Sequence, residues 1–205
     1  VNYVSGLFHG DLGTSLRTKR PVAVEVASRY GNTVQLTLLS LAWSSVVGIL
    51  LGVWSGRHRS KWQDYTGMTL AVSGISLPSF WIGFILIIIF SVNLKIFPTT
   101  GADGFSSLVL SAFTLGTSVA AVVARFTRSS LIEVMKEDYI RTARAKGLRE
   151  KAVIWKHAFR NSMISVVTVI GLQFGYLLGG SVVTESVFAF PGLGSLLIES
   201  VNYRD

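Results

Sequence analysis

Four long apolar stretches, separated by polar and charged segments, dominate the pattern along this chain. They cover residues 33–55, 66–92, 106–124 and 162–184, and none contains a charged residue. The first is 23 residues long, so as a helix rising about 1.5 Å per residue it spans the roughly 30 Å hydrocarbon core of a bilayer. The pattern therefore predicts four transmembrane helices, the second of them kinked at Pro78.

Residues 1–31, before the first stretch, are mixed in character and predict an external segment. Pro21 to Tyr30 reads as a short amphipathic helix with proline at its first position, suited to a membrane surface. A plain exposed helix explains the same pattern. The sequence thus predicts a membrane domain over 32–205, and its abrupt ends suggest a piece of a longer protein.

Composition and charge agree with a membrane protein and fix its orientation. Only 15% of the 205 residues are charged, against about 25% in soluble domains, and the mean hydropathy is +0.52. Thirteen of the nineteen basic residues lie in residues 57–61 and 125–161. By the positive-inside rule both segments are cytoplasmic, so the net charge of +8 does not call for nucleic acid as a partner. The chain then begins and ends outside.

Glycines recur every fourth residue in two of the predicted spans. Small residues at this spacing allow helices to approach closely in lipid. Such a stripe is expected at a subunit interface or gate, or in ordinary packing within the chain. The two stripes consist of Gly48, Gly52 and Gly56, and of Gly171, Gly175 and Gly179.

The spans lack the residues that two other functional classes require. An ion-coupled carrier or channel would show charged residues near the middle of a span, and a membrane-embedded enzyme would show paired carboxylates or an H-E-x-x-H motif there. None occurs in the four stretches. The sequence therefore favours a machine that receives its energy from another protein.

The cytoplasmic segment 125–161 is too long for a simple connection and predicts a helix, a glycine turn and a second helix. Gly147 stands where a left-handed residue would end the first helix. A compact helical projection of this kind can dock in a partner and pass rigid-body motion to the spans. A solvated basic face or a contact with anionic lipid are the alternatives.

Several motifs resemble those of the permease subunits of binding-protein-dependent ABC importers. Residues 138–147 resemble the coupling loop of these subunits, in the variant found in the dipeptide, oligopeptide and nickel subfamily. Arg141-Thr142-Ala143 stands where the general pattern has Glu-Ala-Ala, and the later Ile-x-Leu-Pro is absent. Further similar segments are 10–15, 71–78 and 185–194, while 120–128 and 171–175 are similar to glutathione permease subunits.

The resemblance implies an all-α, polytopic fold of the type I ABC importer permease class. The full subunit would have six spans in the inner membrane, and this chain would hold the second to the fifth. Implied partners are a second homologous permease, two cytoplasmic ATPases that bind ATP and Mg, a periplasmic or lipid-anchored substrate-binding protein, and membrane lipid. The chain itself has no phosphate-binding G-x-x-x-x-G-K-[ST] motif, so no cofactor of its own and no enzymatic activity are expected.

The implied cargo is glutathione, a dipeptide or an oligopeptide, with a nickel chelate as the alternative within the family. Contact with the ATPases is expected from six residues around the glycine turn: Tyr139, Arg141, Ala143, Arg144, Gly147 and Leu148. Tyr139, Ala143 and Leu148 would supply apolar contacts, and the arginines would pair with acidic groups of the partner. Solvent or phospholipid contact is the alternative for each charge.

Two more sets of candidate residues lie outside the coupling loop. Polar side chains on the spans are expected to line the substrate path, although hydrogen bonds between helices explain them as well; they are Ser73, Ser76, Ser79, Gln173 and Tyr176. The segment 185–194 is expected near the outer mouth or the binding protein, or as a capping turn, through Glu185, Phe188, Pro191 and Gly192. No metal-ligating set is predicted.

Overall fold

The structure is a computed structural model that describes residues 11–99 and 104–205. In these ranges the regular elements are helices, joined by turns and loops, and an isolated β-bridge links Thr14 and Pro21. The predicted motif over 10–15 begins at Gly10, outside the described residues. The helices are α1 (Val22–Arg57), α2 (Trp62–Ser76), α3 (Ser79–Leu86, continued as a π-helix over Ile87–Asn93), α4 (Phe105–Val134), α5 (Asp138–Ala145), α6 (Glu150–Ala152, a π-helix over Val153–Ala158, then Phe159–Gly180), α7 (Val182–Val187) and α8 (Leu193–Tyr203).

Three helices of the described chain are long and apolar enough to cross a membrane, and a bent pair makes a possible fourth span. The three are α1, α4 and the part of α6 that covers Glu150–Gly179, while α2 and α3 form the bent pair. The first three predicted stretches lie within these spans, and the fourth, 162–184, runs from α6 into α7. The all-helical fold expected from the sequence is therefore confirmed.

The second stretch is not the single kinked helix that the sequence predicts. Helix α2 ends at Ser76, Leu77 is extended (φ −88°, ψ 131°), and α3 begins after Pro78 at an angle of 99° to α2. Proline forces the residue before it out of the helical region and has no N–H to continue the helix, so the chain breaks instead of bending.

The predicted boundary between an external helix at 21–30 and a span starting at 33 is wrong. Helix α1 runs unbroken for 36 residues, or about 54 Å, through Gly31 and Asn32. Neither residue removes a backbone hydrogen bond, so nothing there ends the helix. For the same reason α4 continues ten residues beyond the apolar stretch that ends at 124.

The central contact of the fold joins α1 to α4, which run in the same direction. The contact is made by two rows of small buried residues spaced every four positions. The backbones meet directly: a Cβ atom on Gly48 would lie 2.7 Å from the Ala120 carbonyl oxygen, and one on Gly52 would lie 2.6 Å from that of Ala124. The rows are Ser40, Ser44, Gly48 and Gly52 on α1, and Ala112, Gly116, Ala120 and Ala124 on α4.

The two glycine stripes have different surroundings. Gly48, Gly52 and Gly56 pack within the chain, as the simpler interpretation of the sequence expects. In contrast, a Cβ atom added to Gly171, Gly175 or Gly179 would meet nothing within 4 Å in the described structure. This face of α6 is therefore left uncovered by the described part of the chain.

Two glycines of α1 provide a matched test of this packing. Gly52→Ala should destabilise the folded subunit by about 1–3 kcal/mol because its methyl group overlaps Thr127 and the Ala124 carbonyl. Gly31→Ala should be neutral or slightly stabilising, because Gly31 has open space around it and alanine favours helix. Thermal unfolding of the purified full-length complex measures both, and equal midpoints for the two variants would contradict the close contact.

Candidate functional site

The predicted coupling loop contains a short helix, α5, that is anchored to the cytoplasmic ends of three longer helices. Ile140 is fully buried and Ala143 is 6% exposed. These two side chains share a small apolar cluster with Val53 of α1, Leu131 of α4, and Val153 and Ala158 of α6. Helix α5 is thus held on one side by the spans themselves, and a force applied to it reaches them directly.

Gly147 ends α5 in the way the sequence predicts. Its φ of +78° lies in the left-handed region, and the N–H groups of Gly147 and Leu148 donate to the carbonyls of Arg144 and Ala143. This pair of hydrogen bonds is the Schellman arrangement that closes many helices. A Cβ atom at Gly147 would meet nothing within 4 Å, so the turn projects freely from the chain.

The charged residues of the loop have partners inside the chain. Arg144 donates from Nε and Nη2 to the Glu150 carboxylate at 3.1 and 2.8 Å, a fork that spans the glycine turn. These hydrogen bonds raise the pKa of Arg144, which therefore stays charged. Arg141 contacts Asp138 at 3.3 Å, but both side chains are largely exposed and the pair contributes little. The predicted contact of both arginines with acidic groups of a partner stays a prediction, and Arg144 has in addition a partner within the chain.

Of the three residues predicted to supply apolar contacts, one is buried within the chain and two are partly exposed. Ala143 belongs to the chain's own core, so its expected contact with a partner is corrected. Tyr139 is 40% exposed, and its hydroxyl oxygen accepts a hydrogen bond from Asn161 at 2.6 Å. Leu148, 42% exposed beside Gly147, is the apolar side chain most available to a partner.

Two of the five predicted substrate-path residues line one cavity. Ser73 and Ser76 lie on the wall of a cavity of about 660 Å³ that follows α2. Each hydroxyl donates to the carbonyl four residues back, Thr69 and Val72 respectively, which leaves its oxygen free to accept. Ser79, Gln173 and Tyr176 are not among the residues that line this cavity.

The sequence interpretation missed an ion pair at the cytoplasmic end of the same cavity. Asp64, in the first turn of α2, is 3% exposed and accepts two hydrogen bonds of 2.6 Å from Nε and Nη2 of Arg128 on α4. Ser55 and the N–H of Ser60 also donate to this carboxylate. Local patterns give no sign of a pair whose members are 64 positions apart.

The segment 185–194 forms a cap built around one buried carboxylate. Glu185 is fully buried, although the sequence predicts an external contact residue. One carboxylate oxygen accepts from the Thr33 hydroxyl at 2.8 Å, and the other accepts from the Ser195 N–H at 3.0 Å. Ser195 is in the first turn of α8, so the carboxylate also meets the positive end of that helix.

The other residues of this motif complete the cap. Phe188 and Phe190 are each 2% exposed and belong to the main apolar core. Asn32 of α1 donates to the Pro191 carbonyl oxygen at 2.8 Å. Gly192 has to be glycine, because a Cβ atom there would lie 2.3 Å from the Glu185 carboxyl carbon. Of the alternatives that the sequence left open, the structure favours the capping turn.

Comparison with known proteins gives a consistent result. Residues 48–205 match the family described as "Binding-protein-dependent transport system inner membrane component". Over 204 residues the chain is 53% identical to the glutathione transport system permease protein GsiC of Pectobacterium atrosepticum, and 52% identical to those of Salmonella typhimurium and Shigella boydii. Each match covers the whole chain and 67% of the relative, so the chain spans about two thirds of these proteins' length.

A solved structure supports the fold. The crystal structure of an amino acid ABC transporter with histidines superposes with a TM-score of 0.70 at 16% sequence identity. The superposition covers 99% of this chain and 85% of the other. At this level of sequence identity, the structural similarity supports the fold alone.

The cap can be tested by comparing two glutamates. Glu185→Ala removes the acceptor of two buried donors, and we expect a loss of about 2–5 kcal/mol in the free energy of unfolding. Glu199→Ala removes exposed ion pairs to Arg17 and Arg29, at 3.7 and 3.8 Å, and should cost less than about 1 kcal/mol. Thermal unfolding of the purified full-length subunit measures the difference, and a harmless Glu185→Ala would refute the structural role of this carboxylate.

Proposed function

Because this chain belongs to the family of binding-protein-dependent transport system inner membrane components, we propose that it carries glutathione and related short peptides across the inner membrane. It is the permease subunit of an ABC importer. The cargo proposal is supported by the identity of 52–53% to proteins named glutathione transport system permeases. Dipeptides and other short peptides are the nearest related cargo.

The observation that carries the transport mechanism is the attachment of α5 to the spans. Its inner side is fixed by Ile140 and Ala143, and its outer side ends in the free turn at Gly147. We expect this turn, with Leu148 and the exposed face around Arg141, to enter a groove of a partner ATPase. Closure of the ATPases would then move α1, α4 and α6 together as packed bodies.

The remaining assembly follows from the family. The chain works with ATPase and substrate-binding components. We propose that two ATPases hold the ATP and Mg, that a periplasmic or lipid-anchored binding protein delivers the peptide, and that a second, homologous permease completes the pore. The uncovered glycine face of α6 is a suitable surface for that second permease, because small residues permit close helix contact in lipid.

Two variants of the glycine turn test coupling apart from folding. In Gly147→Trp a bulky side chain projects where the chain itself offers open space, and its left-handed backbone costs only about 1–2 kcal/mol, so the fold should persist while docking is blocked. In Gly147→Asn the left-handed conformation is tolerated and the added side chain is small. We expect ATP-driven uptake of labelled glutathione by vesicles holding the complete complex to fall at least tenfold with tryptophan and to change little with asparagine.

Controls separate the causes of a loss. Co-purification of the ATPases and delivery by the binding protein are measured for every variant, together with uptake of a labelled dipeptide. Normal uptake by Gly147→Trp would overturn the docking role of the turn. Absence of both glutathione and dipeptide uptake by the unmodified complex would overturn the proposed cargo while leaving the family unaffected.

A further inference from the structure

The cavity along α2 carries the features of a site for a small charged ligand. Its volume of about 660 Å³ lies in the range of ordinary ligand pockets. One wall presents the hydroxyl groups of Thr69, Ser73 and Ser76, and its cytoplasmic end holds Asp64 and Arg128. Asp64 and Arg128 lie just beyond the apolar stretches 66–92 and 106–124, so a ligand at this end of the cavity meets charged side chains.

Asp64 and Arg128 have unequal capacity for a further partner. Both oxygens of the Asp64 carboxylate already accept two hydrogen bonds each, and the side chain is 4% exposed. Arg128 is 28% exposed, and its two bonds to Asp64 use two of the five N–H donors of a guanidinium group. The pair therefore fixes Arg128 in position and leaves three donors for a ligand in the cavity.

The spacing of the polar groups suits a short peptide. Along α2, Thr69 lies about 7.5 Å and Ser73 about 13.5 Å beyond Asp64, at about 1.5 Å per residue. An extended tripeptide is about 10 Å long, so a peptide with one end at the Asp64–Arg128 pair has its other end between the levels of Thr69 and Ser73. Because the serine hydroxyl hydrogens are bonded to the helix backbone, the oxygens face the cavity as acceptors for peptide N–H or ammonium groups.

We propose that this cavity is a peptide-binding site in the cytoplasmic half of the permease, in which Arg128 binds a carboxylate of the ligand. The inference rests on the proposed function, because glutathione is an anionic tripeptide with two carboxylates. Asp64 acts as a positioning residue that orients the guanidinium group. The Ser73 oxygen accepts a hydrogen bond from the rest of the peptide.

Protection of a single cysteine tests the site directly. These 205 residues contain no cysteine, so Ser73→Cys introduces one reporter thiol into a complete complex that is first freed of reactive cysteines elsewhere. The probe is S-methylglutathione, which has no free thiol, and the comparison compound is its dimethyl ester, which lacks both carboxylates. The rate of maleimide labelling is measured against the concentration of each compound, and Ser186→Cys, exposed on α7, is the control position.

We expect S-methylglutathione to protect Ser73→Cys and the ester to need a concentration about tenfold higher, as for loss of a charged hydrogen bond. Ser186→Cys should not be protected by either compound. Arg128→Lys, added to Ser73→Cys, keeps the charge beside Asp64 but not the guanidinium fork. It should raise the half-protecting concentration of S-methylglutathione to that of the dimethyl ester. If S-methylglutathione and its dimethyl ester protect Ser73→Cys equally well while Arg128 is present, the proposal is overturned, whatever result Arg128→Lys gives.

Uptake by the unmodified complex, measured beside the protection of Ser73→Cys, separates this site from the proposed function. Glutathione uptake into vesicles without protection of the cysteine by S-methylglutathione would overturn the site alone. Absence of both uptake and protection would overturn the site and the proposed cargo together. Protection that depends on the carboxylates, together with uptake, supports both.

Discussion

The close approach of α1 and α4 is the constraint on which the other contacts depend. In lipid, burial of apolar surface gives helices no reason to associate, so van der Waals contact between backbones has to hold them. The small rows that include Gly52 and Ala124 permit that contact over several turns. Because the two helices run in the same direction, the segment between them has to cross back, which the bent pair of α2 and α3 does.

Each candidate functional element is attached to one end of this helix pair. At the cytoplasmic end, Asp64 joins α2 to Arg128 of α4, and Ile140 fixes α5 between the helix ends. At the other end, Glu185 is bonded to Thr33 of α1. Helix α5, the wall of the cavity and the cap are therefore connected to one another through packed helices and not through flexible loops.

Local sequence patterns predict the features of this structure that depend on residues close together in the chain. Apolar length gives the spans, and the left-handed preference of glycine gives the turn at Gly147. Contacts between distant positions escape such patterns: Asp64 and Arg128 are 64 residues apart, and Glu185 and Thr33 are 152 apart. For Arg144 the sequence predicts a contact with another protein. Its ion pair with Glu150 within the chain forms only because the folded turn brings the two side chains together.

The positions of the charges explain why this chain needs an external energy source. Among the described residues the buried carboxylates are Asp64 and Glu185, which accept four and two hydrogen bonds from the chain itself. The Asp64 carboxylate, with two hydrogen bonds on each oxygen, has no free position for a proton or ion that could drive transport. The apolar stretches between the ends contain no charged residue, in accord with an energy source in a partner subunit, and α5 packs against all three long helices at one end.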